Sequence, residues 1–173
     1  MPIAGLIITC LTFPGVVVHE FAHALFCQIT GTRIVKVCLF RFGNPAGYVL
    51  HERPPSTWRH ILIGIGPLFV NTLLGLGLGV VALPLAGSPD GPAGYLLLLW
   101  LAVSVAMHSF PSTGDAKAIW GAVWRRDAPL LAKLVGTPLV AVIYAGAVGS
   151  FFWLDLAYGV AVAVAVPRLL GLP

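Results

Sequence analysis

The sequence predicts an all-α polytopic membrane protein with four transmembrane helices, or five if its last apolar region folds as a tight pair, and one small membrane-associated β-hairpin. Three observations predict this. Hydrophobic residues make up 58% of the 173 and charged residues only 9%, against roughly 25% charged in ordinary globular domains. Mean hydropathy is +0.95, so there are too few charges to cover a water-facing surface, and lipid is the expected solvent. The apolar residues also fall in four long runs with polar stretches between them, as in a chain that crosses a bilayer repeatedly. The length suits a single membrane-embedded domain over residues 1–173.

The first run is Ile3 to Val18, and it continues through His19-Glu20-Phe21-Ala22-His23 to about Ile29. Read as one helix it rises about 40 Å, enough to span, with Gly31 as its stop. It has no basic leader and leads straight into the charged motif, so it is expected to be retained rather than cleaved. Residues 31–59 differ in character. Ile34 to Phe42 is rich in β-branched and aromatic residues, Gly43-Asn44-Pro45-Ala46-Gly47 is a turn signal, and Tyr48-Val49-Leu50-His51 follows. This reads as a β-hairpin at a membrane face, closed by Pro54-Pro55.

The second run, Ile61 to Ala86, contains Gly66-Pro67, Asn71 and small residues that let helices approach closely in lipid. The third run, Tyr95 to Phe110, ends in Pro111-Ser112-Thr113-Gly114-Asp115. A polar amphipathic stretch with Lys117, Arg125, Arg126 and Lys133 leads to the last apolar region, Pro138 to Val166, which Asp155 interrupts. That region is expected to form one tilted span or a tight pair.

Charge sets an orientation. The formal net charge is +4. Arg33, Lys36, Arg41, Arg53 and Arg59 lie in residues 31–59, and Lys117, Arg125, Arg126 and Lys133 in residues 111–137, which is nine of the ten basic residues. The 87–94 loop holds none. By the positive-inside rule both basic segments face the cytoplasm of a multi-pass cell-membrane protein. His19, Glu20, His23 and Asp115 then lie toward that same face. No basic patch interleaved with aromatics points to nucleic acid, so the expected partners are the lipid bilayer and a membrane-protein substrate. Cys10, Cys27 and Cys38 form no C-x-x-C, and no disulfide framework is expected.

His19-Glu20-Phe21-Ala22-His23 is H-E-x-x-H. On a helix, positions i and i+4 are about 40° apart around the axis and one turn apart along it, so both imidazoles can reach one zinc ion. Glu20 projects about 100° from His19, toward the water that zinc activates rather than onto the metal. It can take that water's proton and pass it to a leaving amine. Three ionisable residues together inside an apolar span are costly unless they serve a site. A catalytic zinc needs a third protein ligand and one open position. Asp115 is the first candidate for that ligand, and it could equally cap the helix that follows; His108 in the third run is the second candidate. Cys27 shares the face of His23 and reads as an inert buried thiol. Asn71 is either an interhelical hydrogen-bonding group or a donor to the oxyanion of a tetrahedral intermediate. His51 and His60 read as loop or interface residues, and Asp155 as a helix cap or the partner of a base.

The order H-E-F-A-H in one run, G-P-L-F-V-N in the next and an Asp after the third resembles the site-2 protease family of intramembrane zinc metalloproteases. Residues 3–119 look like that family's catalytic core, with 138–166 as additional spanning sequence. The resemblance implies one zinc per chain on His19, His23 and Asp115, Glu20 as general base, and Asn71 near the scissile carbonyl. That family usually places the Asp before a Gly, whereas here Gly114 precedes Asp115. The function expected is zinc-dependent endopeptidase cleavage in or near transmembrane segments of membrane proteins. The alternative is a non-hydrolytic zinc-binding or transport protein, for which a carboxylate such as Glu20, beside the metal but off it, has little use.

Overall fold

Pro14 divides the first apolar run. The computed structural model of the chain, which describes residues 3–88 and 91–171, places α1 at Ile3–Leu11 and α2 at Phe13–Ile29, bent by 80° where they meet. Proline is well placed in the first turn of a helix, but inside one it removes a hydrogen bond and its ring clashes with the carbonyl four residues back. The helix therefore restarts at Phe13, and the single helix expected over residues 3–29 is not formed. Gly31 ends α2 with a φ of +65°, a conformation glycine adopts without strain.

The hairpin forms where the β-branched residues predict it. Strand β1 (Ile34–Cys38) pairs antiparallel with β2 (Tyr48–His51), with Val37 opposite Val49 and Cys38 opposite Tyr48. The Arg41 amide donates to the Ala46 carbonyl across the turn at 2.6 Å.

Ser56 caps α3 (Thr57–Ala82) by accepting from the Trp58 amide. A 3₁₀ turn over Leu83–Gly87 extends it. Helix α4 (Pro92–Met107) follows, then α5 (Thr113–Val123) and α6 (Leu130–Gly149). Helices α3, α5 and α6 share a core of Ile61, Ala116, Ile119, Val123, Ala132, Val140 and Ile143, which seats α5 firmly beside α3. Beyond α6 the chain breaks at Trp153, whose φ is 64°, and continues as α7 (Leu154–Val160), a π-helical turn (Ala161–Ala165) and α8 (Val166–Leu169). The last apolar region is thus a pair of helical segments rather than one tilted span.

Two helical stretches are long and apolar enough to cross a membrane, Thr57–Gly87 and Leu130–Phe152, and a third qualifies if α1 and α2 count as one broken span. The four or five spans expected from hydropathy are not found among the described residues. Helix α4 has 16 residues, short of the roughly 20 a span requires. The helix opens at Pro92, ahead of the apolar run, and the chain leaves helical geometry at His108, before the run ends. Large apolar side chains such as Leu73, Leu134 and Phe151 point outward, more than 60% exposed, as a lipid-facing surface allows.

Candidate metal centre

Helix α2 carries His19, Glu20 and His23, and its neighbours orient the two rings through backbone carbonyls. His19 Nδ1 lies 2.7 Å from the carbonyl oxygen of His108, and His23 Nδ1 lies 2.9 Å from that of Ile63 in α3. A carbonyl only accepts, so each Nδ1 must carry the proton and donate it. In the neutral rings both Nε2 atoms are then bare acceptors, the tautomer a metal needs. They face each other at 3.2 Å.

Asp115 completes the group from the start of α5. Ser112 is the N-cap of that helix, and Asp115 occupies the third helical position in a capping box. The two carboxylate oxygens divide the work. Oδ2 accepts from the Ser112 amide at 2.7 Å and from its hydroxyl at 2.6 Å. Oδ1 is 3.5 Å from His23 Nε2. Capping and facing the histidines are therefore simultaneous, and the helix N-cap itself is Ser112 rather than Asp115. Burial alone would raise the Asp115 carboxyl's affinity for protons. The Ser112 amide and hydroxyl, both donating to Oδ2, favour the ionised form instead. Asp115 is accordingly an anion.

One donor atom from each of His19, His23 and Asp115 falls within a 4.8 Å group. Three acceptors converge there, and only something positive can hold them together. A proton on His23 Nε2 would face partners at 3.2 and 3.5 Å, both long for a hydrogen bond of that kind. Zinc fits better. Ligands about 2.0–2.1 Å from a tetrahedral ion are about 3.3 Å from one another, close to both observed separations. The donor set, two imidazoles and a carboxylate, is one that catalytic zinc takes.

Glu20 lies beside this group rather than in it. It is 8% exposed and lines a cavity of about 340 Å³ with His23, Asp115, Gly47, Tyr48 and Val49. The hairpin is thus a wall of the cavity. A Cβ at Gly47 would stand 2.5 Å from Glu20 Cγ, so the turn backbone rests directly on the Glu20 side chain and only glycine fits there.

The other candidates lie apart. The His108 imidazole donates from Nδ1 to the Ser104 carbonyl at 2.9 Å; His108 reaches the site through its own carbonyl. Asn71 is fully buried, and its amide nitrogen donates to Gly15 O and Val105 O, both at 3.1 Å. It therefore ties α3 to α2 and α4 with both N–H groups engaged, while its Oδ1 has no partner. Asn71→Leu removes both interhelical hydrogen bonds and should cost about 1–2 kcal/mol, read as a lower melting temperature in detergent with zinc retained. An unchanged melt with slowed turnover would instead place Asn71 on the substrate. Cys27 is buried and free, and His51 and His60 stand outside the group. Asp155 lies in the first turn of α7 rather than at its cap, with Oδ1 accepting from the adjacent Leu156 amide. Sequence reasoning missed the Ile63 and His108 carbonyls, because a backbone group has no residue-type signature.

Residues 12–125 match the family described as "Putative zincin peptidase". A protein of Synechocystis named "Putative zinc metalloprotease" is 28% identical to this chain over 162 residues, 91% of this chain and 40% of the relative. The chain thus spans about two fifths of the length of the curated relative it matches. No solved structure matches.

Proposed function

We propose that this chain, which belongs to the family described as "Putative zincin peptidase", is a zinc-dependent endopeptidase of the site-2 protease kind that cuts peptide bonds in or near transmembrane segments of other membrane proteins. The observation that supports this reading best is the convergence of three acceptor atoms with Glu20 beside them on a cavity. A site that only stored or carried zinc would have no need of that carboxylate.

Zinc, when bound, supplies a Lewis acid that acidifies water and polarises the scissile carbonyl. The chain's residues supply the rest. His19, His23 and Asp115 would hold the ion, each oriented by a fixed hydrogen bond. Glu20 would take a proton from the attacking water and deliver it to the leaving amine. The cavity between α2, α5 and the hairpin gives substrate and water a place beside both groups. Purified protein should cleave a membrane-embedded substrate, stop when phenanthroline removes the metal and resume when zinc is restored. Protein that holds zinc, cleaves nothing and moves zinc across vesicles would favour the transport alternative.

The reading includes an orientation, with the cluster nearer the cytoplasmic face of a multi-pass protein. It rests on the nine basic residues at 31–59 and 111–137. In protein freed of its native thiols, an impermeant reagent added from outside should label a cysteine at Ser88 and spare one at Ser56 or Arg126. The reverse pattern would invert the topology.

A further inference from the structure

We propose that Pro67 is a positioning residue for the metal site, and that its role is to leave the Ile63 carbonyl free to hold His23. This deepens the zinc reading above and rests on it. In an α-helix the carbonyl of residue i accepts from the amide of residue i+4. The partner of Ile63 would be residue 67, and residue 67 is proline, which has no N–H. The proline ring also crowds the carbonyl four residues earlier and turns it away from the helix axis. Pro67 lies inside α3, which is helical on both sides of it. The Ile63 carbonyl is therefore a buried acceptor that the helix cannot satisfy, and it is satisfied by His23 Nδ1 at 2.9 Å.

The residue before it makes the contact possible. At Gly66 a Cβ would stand 2.6 Å from the Phe26 ring, so that ring lies directly on the α3 backbone and only a residue without a side chain lets it do so. Helices α2 and α3 run antiparallel, Asn71 meeting Gly15 and Ile63 meeting His23, and the Phe26 ring reaches back past His23 to Gly66. The same close approach that seats Phe26 on Gly66 brings the His23 ring to the Ile63 carbonyl. Gly66 and Pro67 thus act together, one setting the distance and the other releasing the acceptor. The outcome is chemical as well as spatial. With the proton fixed on Nδ1, Nε2 is bare and faces His19 Nε2 and Asp115 Oδ1. His19 is held in the same way by the His108 carbonyl, free because α4 has ended at Met107. Each histidine is oriented by a carbonyl that a break in helical bonding has released.

The test is zinc affinity, measured by competition with a chromophoric chelator in detergent. Pro67→Ala restores an amide that competes for the Ile63 carbonyl. Removing such a partner of a metal-bound histidine typically weakens binding about 10–100-fold, and a loss of about tenfold or more is expected. The discriminating variant puts the α-hydroxy analogue of alanine at position 67, giving a backbone ester with neither ring nor N–H. It should bind zinc within about twofold of wild type, since the donor is again absent. Wild-type affinity in Pro67→Ala overturns the proposal. So does an ester variant as weak as Pro67→Ala, because the ring and not the absent donor would then matter. If a variant does not fold, wild-type protein with ¹⁵N-labelled histidine still decides. His23 should carry a hydrogen-bonded proton on Nδ1 in the zinc-loaded state, and a proton on Nε2 instead would overturn the assignment. A wild type that binds no zinc would overturn this inference and the proposed function together, a result that needs no variant.

Discussion

Glu20→Gln is expected to keep its zinc and lose cleavage by about 10²–10⁴-fold, the usual worth of a positioned general base. The substitution preserves shape and removes only the basicity. Glu20 is not among the three converging donors, so metal content should stay near one per chain. Its side chain is pinned under the Gly47 backbone, and glutamine fits the same slot. Its place on the cavity beside those three donors suits the proposed role of proton carrier. Single-turnover cleavage beside metal analysis checks both halves. A variant that cleaves at the wild-type rate would remove Glu20 from the mechanism, and one that loses zinc would make it a ligand.

Asp115→Asn should have the opposite signature, with zinc affinity falling by more than about a hundredfold, beyond what an outer hydrogen-bond partner is worth. Asparagine can still offer one oxygen to the Ser112 amide and hydroxyl, which now cap α5 through Oδ2. It cannot also present an anion to the histidines as Oδ1 does. The melting temperature of the zinc-free protein should therefore change little. Ser112→Ala is the complement. It removes the N-cap, should cost about 1 kcal/mol of stability, and should leave zinc bound. If Asp115→Asn retains zinc while a His108 variant loses it, the third ligand is His108, against the present geometry, in which the His108 ring bonds within α4.

The parts of the site legible in the sequence are those set by spacing within one element. H-E-x-x-H places two imidazoles on one helix face whatever surrounds them, and the structure brings their Nε2 atoms to 3.2 Å. The hairpin was legible too, because β-branched residues around a Gly-Asn-Pro-Ala-Gly turn have few other conformations. What hydropathy concealed was where helices break. Residues 3–29 read as one run because apolar residues dominate on both sides of Pro14, but Pro14 is a better helix start than helix interior. The apolar length of the third run suggests a span, while its helix stops at Met107. Tertiary hydrogen bonds were the least legible. The sequence marks Asn71 as a buried amide in need of partners, but only the packed helices show that both its N–H groups go to Gly15 and Val105. Pro67 was visible as a kink-former, and its effect on Ile63 could be worked out only once His23 was seen at that carbonyl.

The central claim is that His19, His23 and Asp115 hold one zinc ion. X-ray absorption at the zinc edge of the purified protein tests it most directly. The geometry predicts about one zinc per chain with two imidazole nitrogens at about 2.0–2.1 Å, a carboxylate oxygen at about 2.0–2.2 Å, and one further light atom at the open position. A sulfur shell at about 2.3 Å would implicate Cys27, and purified, folded protein that retains no zinc would contradict the claim outright.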